Sequence, residues 1–543
     1  MKKGIKKLIL VLVVLVAAFI YYYVTLPALN IHSVGLWWFL IGAILMLSAF
    51  FMIKSVAKHN ALSKKKELEF TKETIGLSRF GFYLAGVVLV VFLIGTFLSS
   101  PVINSKKYQS LLSVETRQFA EDFKQADYNT VPLLDRDSAT LLGNRKMGSM
   151  VEMVSQFEVS DDYTQINVKG RPVRVSPLIY ASTIKWLTNQ RSGIPAYIQI
   201  DMSTQNTECV KLGKGIKYSE AEHLNRNIYR HLRFQYPTAI FADQIFFEID
   251  DEGTPFWICP VKKFNVGLFG GETVGSVVVC NAVNGKCVEY DVDEVPTWID
   301  KVYQAELLMQ LYDYHGTYKH GYFNSILGQK DCLQTTNGYN YIAMDDDVWV
   351  YSGVTSVSGD QSNVGFVMMN QRTMETRFYQ IEGAIEDSAM GSAEGQVQNL
   401  GYRATFPLML NISGEPTYFM ALKDDYGLVK KYAMVNIQKY QWVAIGDTVA
   451  ECEKEYTKLL STNGITSSKD AEKISVAGKI KTLTPVVIEG NTHIYFTLEG
   501  KDLIFDADVT DEQALSIVKY KEGDQINFFY VQGYDLNTVV EVK

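Results

Sequence analysis

Three uncharged apolar runs open the chain, at residues 8–26, 35–53 and 80–98, each 19 residues long. At about 1.5 Å of helical rise per residue, such a run spans about 28 Å, close to the hydrocarbon thickness of a bilayer. A run of that length without a charge is long for a buried helix of a globular core. Tyr21, Tyr22, Tyr23, Trp37 and Trp38 sit near the run ends, where interfacial aromatic residues belong. The pattern therefore predicts three transmembrane helices within residues 1–100. After residue 100 it changes to short strands and amphipathic helices. Residues 105–128 read as an amphipathic helix, and residues 165–175 and 196–201 as strands. Residues 219–236 read as a helix opened by a capping box, Ser219 with Glu222. Hairpins follow at 245–249/254–261 and at 276–280/286–290, the second turning on Asn284-Gly285. Pro296 opens a predicted helix over 296–312. Further hairpins are expected at 364–370/374–381, 405–412/417–423 and 428–436/440–445, with helices over 383–400 and 447–460.

The polar stretch 461–473 reads as a linker. Residues 474–543 follow as strands 474–483, 492–498 and 502–507, a helix 511–519, and strands 525–532 and 538–542. The organisation is thus α+β: the three spans, a membrane-proximal α+β region 101–218, a mixed antiparallel region of repeated helix–hairpin units 219–460, and a small C-terminal barrel.

Charge separates the two parts. Residues 1–100 carry 11 basic and 3 acidic residues, leaving 41 basic and 57 acidic for the remainder. Four lysines precede the first run. The segment 54–79 is basic (Lys54, Lys58, Lys64, Lys65, Lys66, Lys72 and Arg79 against Glu67, Glu69 and Glu73), whereas residues 30–34 carry no charge. The positive-inside rule places the N-terminus and the 54–79 loop in the cytoplasm, and residues 100–543 outside, in a multi-pass protein of the cell membrane. The first run is too long for a signal-peptide core and ends without a small-x-small cleavage site.

Composition narrows the function class. The chain has 543 residues, 47% hydrophobic and 21% charged, which excludes a disordered chain and implies several folding units. A net charge of −8 without a basic stripe excludes a nucleic-acid partner. Six cysteines exclude a disulfide-dense scaffold. Cys280 and Cys287 face each other across the Asn-Gly hairpin; they can form a local disulfide or remain reduced core thiols.

No P-loop, HExxH, CxxC or GxSxG pattern occurs. His315 and His320 lie near Asp331 and Cys332, but a five-residue gap suits neither one helix face nor one strand face. Asp345, Asp346 and Asp347 lack the EF-hand spacing and read as a solvated turn. Ser388, Ser392 and Glu394 lie in a small-residue helix that suits close packing better than nucleophilic attack. No catalytic residue, metal ligand or cofactor site is assigned.

The repeated pieces DEGTPFWICPVK and SGEPTYFMALKD each join a polar turn to an aromatic strand. A helix, a hairpin turning on a Gly and a second hairpin of the form VVxNGxxxY resembles the PepSY-type module of bacterial envelope proteins, over 219–290 and more weakly 383–445. That resemblance implies noncatalytic modules outside the membrane that inhibit or regulate envelope enzymes. A 40-residue insertion around 331–361 departs from it. The order of elements in 474–543 resembles a small OB-type barrel, with Gly478, Gly500 and Gly523 at its bends. The expected function is a membrane-anchored, extracytoplasmic, noncatalytic binding, scaffold or regulatory module of the bacterial cell envelope. Its expected partners are membrane lipids and an envelope protein or cell-wall polymer. An envelope hydrolase with a non-contiguous site and a subunit of a transport or secretion assembly are the alternatives.

Overall fold

The computed structural model describes residues 3–62, 72–126, 132, 134–344, 346–357, 362–463, 474–488, 491–501, 503–509, 513–531 and 537–543. Three helices come first: Lys3–Thr25, Val34–Leu62 and Lys72–Leu98. Two segments are long and apolar enough to cross a membrane, Val34–Ile53 and Arg79–Leu98. The first helix contributes a shorter apolar segment among the described residues, Leu12–Thr25. Of the three expected spans, two therefore meet that length and composition among the described residues. The charges of the 54–79 loop lie almost wholly outside the described side chains.

The helices meet the rest of the chain at one end of their bundle. Arg233 Nε donates to the Leu26 carbonyl at 3.0 Å, and Leu29 N donates to the Pro237 carbonyl at 2.7 Å. Leu268 N and Phe269 N both donate to Ser99 Oγ, at 2.8 and 3.2 Å. The Phe269 ring packs tilted at 5.2 Å from Phe92 and edge-on at 6.1 Å from Trp37. The end of the first helix, the start of the second and the end of the third thus touch one region, residues 230–270.

Four larger antiparallel or mixed sheets follow in layers among the described residues, beside a two-stranded pair, Ser362–Asn363 with Gly383–Ala384. The first contains Phe157–Val159, Thr164–Val168, Arg171–Tyr180, Ile194–Asp201 and Thr207–Ile216. The second is a meander of Phe246–Ile249, Pro255–Val266, Gly270–Asn281 and Cys287–Asp291. The third is built around Asp347–Ser356 and Gly365–Asn370. The fourth is dominated by the meander Leu408–Ile412, Glu415–Lys423, Val429–Asn436 and Val443–Gly446. Side chains alternate faces along a strand, so a sheet between two layers buries both sides. Phe247, Trp257, Cys259, Val278 and Cys280 turn to the core shared with the first sheet. Phe246, Ile258, Val277 and Val279 turn to a second core with helix Ala305–Thr317 and with Val350, Val354 and Val367 of the third sheet. Burial on both faces explains why these strands read as unbroken apolar runs.

Several expected elements are redrawn. The helix expected over 219–236 is confined to Ile228–Gln235 and capped by Asn227, whose Oδ1 accepts from Arg230 N at 3.4 Å. No capping box forms, because the buried Glu222 carboxylate instead accepts from Tyr180 Oη at 2.6 Å and Trp186 Nε1 at 2.8 Å. The helix expected from Pro296 begins at Ala305, because Ile299 to Tyr303 are buried between layers. The helix expected over 105–128 stops at Gln109; Glu115–Arg117 joins the third sheet as a parallel edge strand. The helix expected over 383–400 is Glu386–Gln396. The insertion supplies the centre of the third sheet, Asp347–Ser356, together with Asn340–Met344.

Residues 464–473 of the expected linker lie outside the described residues. The C-terminal strands close into a five-stranded barrel, in the order Ile474–Ile488, Asn491–Leu498, Ile504–Asp508, Asn537–Val542, Gln525–Val531 and back to the first. Its core is filled by Phe496, Phe505 and Phe528. The helix expected there is a short 3-10 segment, Leu515–Lys519.

Candidate functional site

The hairpin Thr164–Val168/Arg171–Tyr180 builds one wall of a polar cleft lined by residues of all four sheets. Period two sends Ile166, Val173 and Val175 into the apolar core. It leaves Gln165, Asn167 and Arg174 on the opposite face, with Gln165 directly across from Arg174 in register. Two chambers open on that face, of about 510 and about 410 Å³. They share Arg136, Arg174, Tyr339 and Tyr341, and so form one continuous cleft.

Arg174 is buried, and its partners are neutral: the Leu134 carbonyl at 3.3 Å and Gln165 Oε1 at 3.4 Å. Burial pulls this guanidinium down to about 10. Gln165 Nε2, also buried, has no hydrogen-bond partner within the protein. A buried donor left unpaired costs free energy unless water or a ligand meets it. Lys301 Nζ lies 3.8 Å over the Tyr341 ring and bonds Gln371 Oε1.

A buried acid–base cluster holds this wall. Glu248 accepts from the backbone N–H groups of Asp300 (3.0 Å) and Lys301 (2.9 Å), and Asp300 Oδ2 accepts from Asn167 N at 2.6 Å. All three charged side chains are at most 3% exposed. Burial lifts both carboxyls above their ordinary range and lowers the Lys301 ammonium. Their shared position explains why residues 296–304 stay irregular: the two backbone N–H groups are spent on Glu248.

Neither chamber is lined by histidine, cysteine or serine among the described residues. Four of the carboxylates along the lining are engaged. Asp135 takes Ser138 N at 3.0 Å and pairs with Lys423; Glu306 takes Tyr339 Oη at 2.5 Å; Glu220 takes Tyr229 Oη; and Asp243 pairs with Lys262 at 2.9 Å. The arrangement can bind and orient a ligand.

The residues weighed from the sequence lie elsewhere. His320 Nε2 pairs with Asp331 at 2.9 Å on the surface, while His315 Nδ1 contacts the Gln109 carbonyl at 3.3 Å, so the two histidines serve different partners. Asp345 lies outside the described residues. Asp347, expected in a solvated turn, is buried and makes a bidentate pair with Arg372, 2.7 Å to each oxygen. The correction follows from Asp347 starting a central strand rather than a loop. Helix Glu386–Gln396 packs through Ala389 and Ala393, both fully buried; Glu394 accepts from Ala404 N at 2.9 Å.

Cys280 and Cys287 are free thiols directly opposite each other in register. Helix Ile228–Gln235 brings His231 onto this pair, a neighbour the sequence reading missed because 49 positions separate His231 from Cys280. Cys287 is drawn down to about 6 by its hydrogen bond with Cys280 and by His231, while the same hydrogen bond and burial push Cys280 up. Sequence reasoning also missed Arg174, Gln165 and Lys301. The only local signal of Gln165 and Arg174 is a polar residue breaking an apolar strand; Lys301 lies in an irregular segment and gives none.

No protein-family model matches the chain, and no curated protein matches it. Solved structures give distant likenesses: an ACO/RPE65 chimera (7% identity, TM-score 0.14, 72% of this chain and 66% of that one) and polysaccharide lyase Uly1 (8%, 0.16, 68% and 74%). Trypanosoma rangeli sialidase gives 11% identity and a TM-score of 0.15, over 71% of this chain and 54% of that one. At such scores none of them bears on fold or function.

Proposed function

We propose that the chain is a membrane-anchored, noncatalytic binding module of the bacterial cell envelope, and that the cleft around Arg174 holds a segment of an anionic cell-wall polymer. The observation that carries this reading is a buried guanidinium with only neutral partners beside the unpaired Gln165 amide, in a chamber faced by Tyr339 and Tyr341. Those groups suit a carboxylate or phosphate on a backbone with flat apolar faces. In this reading the N-terminus is cytoplasmic, the first helix is a third span, and residues 100–543 are outside. The alternation of helix ends against residues 230–270 is consistent with that topology. A helix followed by a four-strand meander in both 219–290 and 383–445 supports a PepSY-like organisation, and the closed strand order supports an OB-like barrel. Membrane lipids are the second partner. Phe323, Ile326 and Leu327 are exposed on a turn beside the helix that leaves the third span, with Gly321 close to Ser105.

Co-sedimentation of the full chain in detergent with purified cell walls tests the ligand. Wild-type protein is expected to pellet, while Gln165→Leu and Arg136→Ala reduce the bound fraction at least several-fold. Equal pelleting of all three, or none by the wild type, refutes the cleft as a polymer site. Orientation is read separately with a membrane-impermeant thiol probe on Tyr426→Cys, at a position 84% exposed. Labelling above the parent chain in intact cells supports the topology; labelling only after lysis overturns it.

A further inference from the structure

We propose that His231, Cys280 and Cys287 form a binding site for a thiophilic metal ion of the zinc class, on the edge of the second sheet and apart from the cleft. One ligand atom from each residue lies within 4.8 Å of the other two. Zinc bonds of about 2.3 Å to sulfur and about 2.0 Å to nitrogen put tetrahedral ligand atoms roughly 3.5 Å apart. The three groups therefore need only small rotamer adjustments to close on an ion.

The backbone holds the trio in place. Asn281 N donates to the Lys286 carbonyl at 2.9 Å, so 281/286 is a hydrogen-bonded pair and 280/287 the adjacent, closer pair. Gly285, at φ +74°, turns the hairpin beneath the Tyr218 ring, where a Cβ would meet ring carbons at 2.4 Å. His231 Nε2 lies 2.7 Å from the Gly285 carbonyl, and the imidazole packs 4.4 Å from the Tyr218 ring. Helix and turn thus lock the imidazole over the thiol pair. His231 Nε2 is held by the Gly285 carbonyl and by Gln235 at 2.8 Å, which leaves Nδ1 as the nitrogen free to join the two sulfurs on an ion.

The same face carries a further thiol. Cys259 lies on the neighbouring strand, in the same core cluster as Cys280, two positions from the Trp257 that pairs with it. Its thiol is engaged with the Trp257 carbonyl at 3.6 Å, so the trio supplies three ligands and leaves the fourth position to water. Cys280 and Cys259 are fully buried while Cys287 is half-buried, so the ion enters past Cys287.

The test uses the full chain in detergent, reduced and stripped of metal, titrated with Co²⁺. The expected result is a saturable thiolate-to-cobalt charge-transfer band with intense tetrahedral d–d absorption at one equivalent, displaced by Zn²⁺. Zn²⁺ should also raise the melting temperature. Cys287→Ser is expected to remove most of the charge-transfer intensity. His231→Ala should shift the d–d band and weaken binding at least tenfold. Cys452→Ala, a buried thiol in helix Val449–Thr462, should leave both signals intact. Absence of the band in folded wild-type protein overturns the proposal. So does cobalt binding that is indifferent to His231→Ala, or a 280–287 disulfide that persists in protein isolated with its thiols blocked at lysis. These readouts do not involve the cleft, so they stand or fall separately from the polymer-binding experiment.

Discussion

At the residue scale, the molecule turns on a few buried charges. Lys301 is the cation that offsets Glu248 and Asp300 between layers. Truncating one partner of such a cluster strands the others, at a cost of about 3–5 kcal/mol. Lys301→Met is therefore expected to lower the urea midpoint sharply at pH 7, where the ammonium still carries charge. The loss should shrink at pH 5, where the carboxyls take up protons. The pH dependence has a definite sign. Burial lifts Glu248 to about 7, against an unfolded value of about 4.3. Between those values the folded chain keeps a proton the unfolded chain has lost. That stability is full below the unfolded value and disappears as pH rises through the folded one. Glu248→Gln should accordingly show a smaller fall in melting temperature between pH 5 and pH 7.5 than the wild type. An equal or larger fall would contradict the assignment.

At the element scale, hairpins were legible and helix starts were not. The Asn284-Gly285 turn and the alternation around it place Cys280 opposite Cys287 without reference to the rest of the fold. The start of the helix at Ala305 depends on Glu248, 57 positions upstream, which captures two backbone N–H groups. Glu222 was misread as half of a capping box because its real partners, Tyr180 and Trp186, belong to another strand and helix. The hairpin tip at Leu268 and Phe269 is another long-range feature: a Cβ on Gly95 would lie 2.8 Å from Leu268 Cδ1. A Gly95→Cys/Leu268→Cys pair should therefore join through a short bifunctional thiol reagent in native membranes. A control pairing Gly95→Cys with Tyr426→Cys should not. Failure of the first pair would show that the tip does not dock on the third helix.

At the scale of the whole molecule, two arrangements coexist. The four sheets share cores in series, so strands of the second and third sheets are buried on both faces and cannot be removed singly. The barrel keeps its own core, drawn entirely from residues 474–542. Ending the chain at Asn463 should leave the main unfolding transition within a few degrees of its full-length value. A loss of the cooperative transition would mean that the barrel braces the layered part. The cleft belongs to the layered part alone, since its lining runs from Pro132 to Lys423.

What the amino-acid pattern determined by itself was whatever local physics decides. Uncharged apolar runs make long lipid-compatible helices, the Asn284-Gly285 and Asp250–Gly253 turns make hairpins, and alternating aromatic strands close the barrel. Tertiary structure alone decided which polar side chains meet. Arg174 and Lys301, 127 positions apart, line one chamber, and His231 reaches the thiol pair from helix Ile228–Gln235. Both juxtapositions arise from stacking sheets whose order in space is set by burial of entire faces, a quantity that no short window of sequence contains.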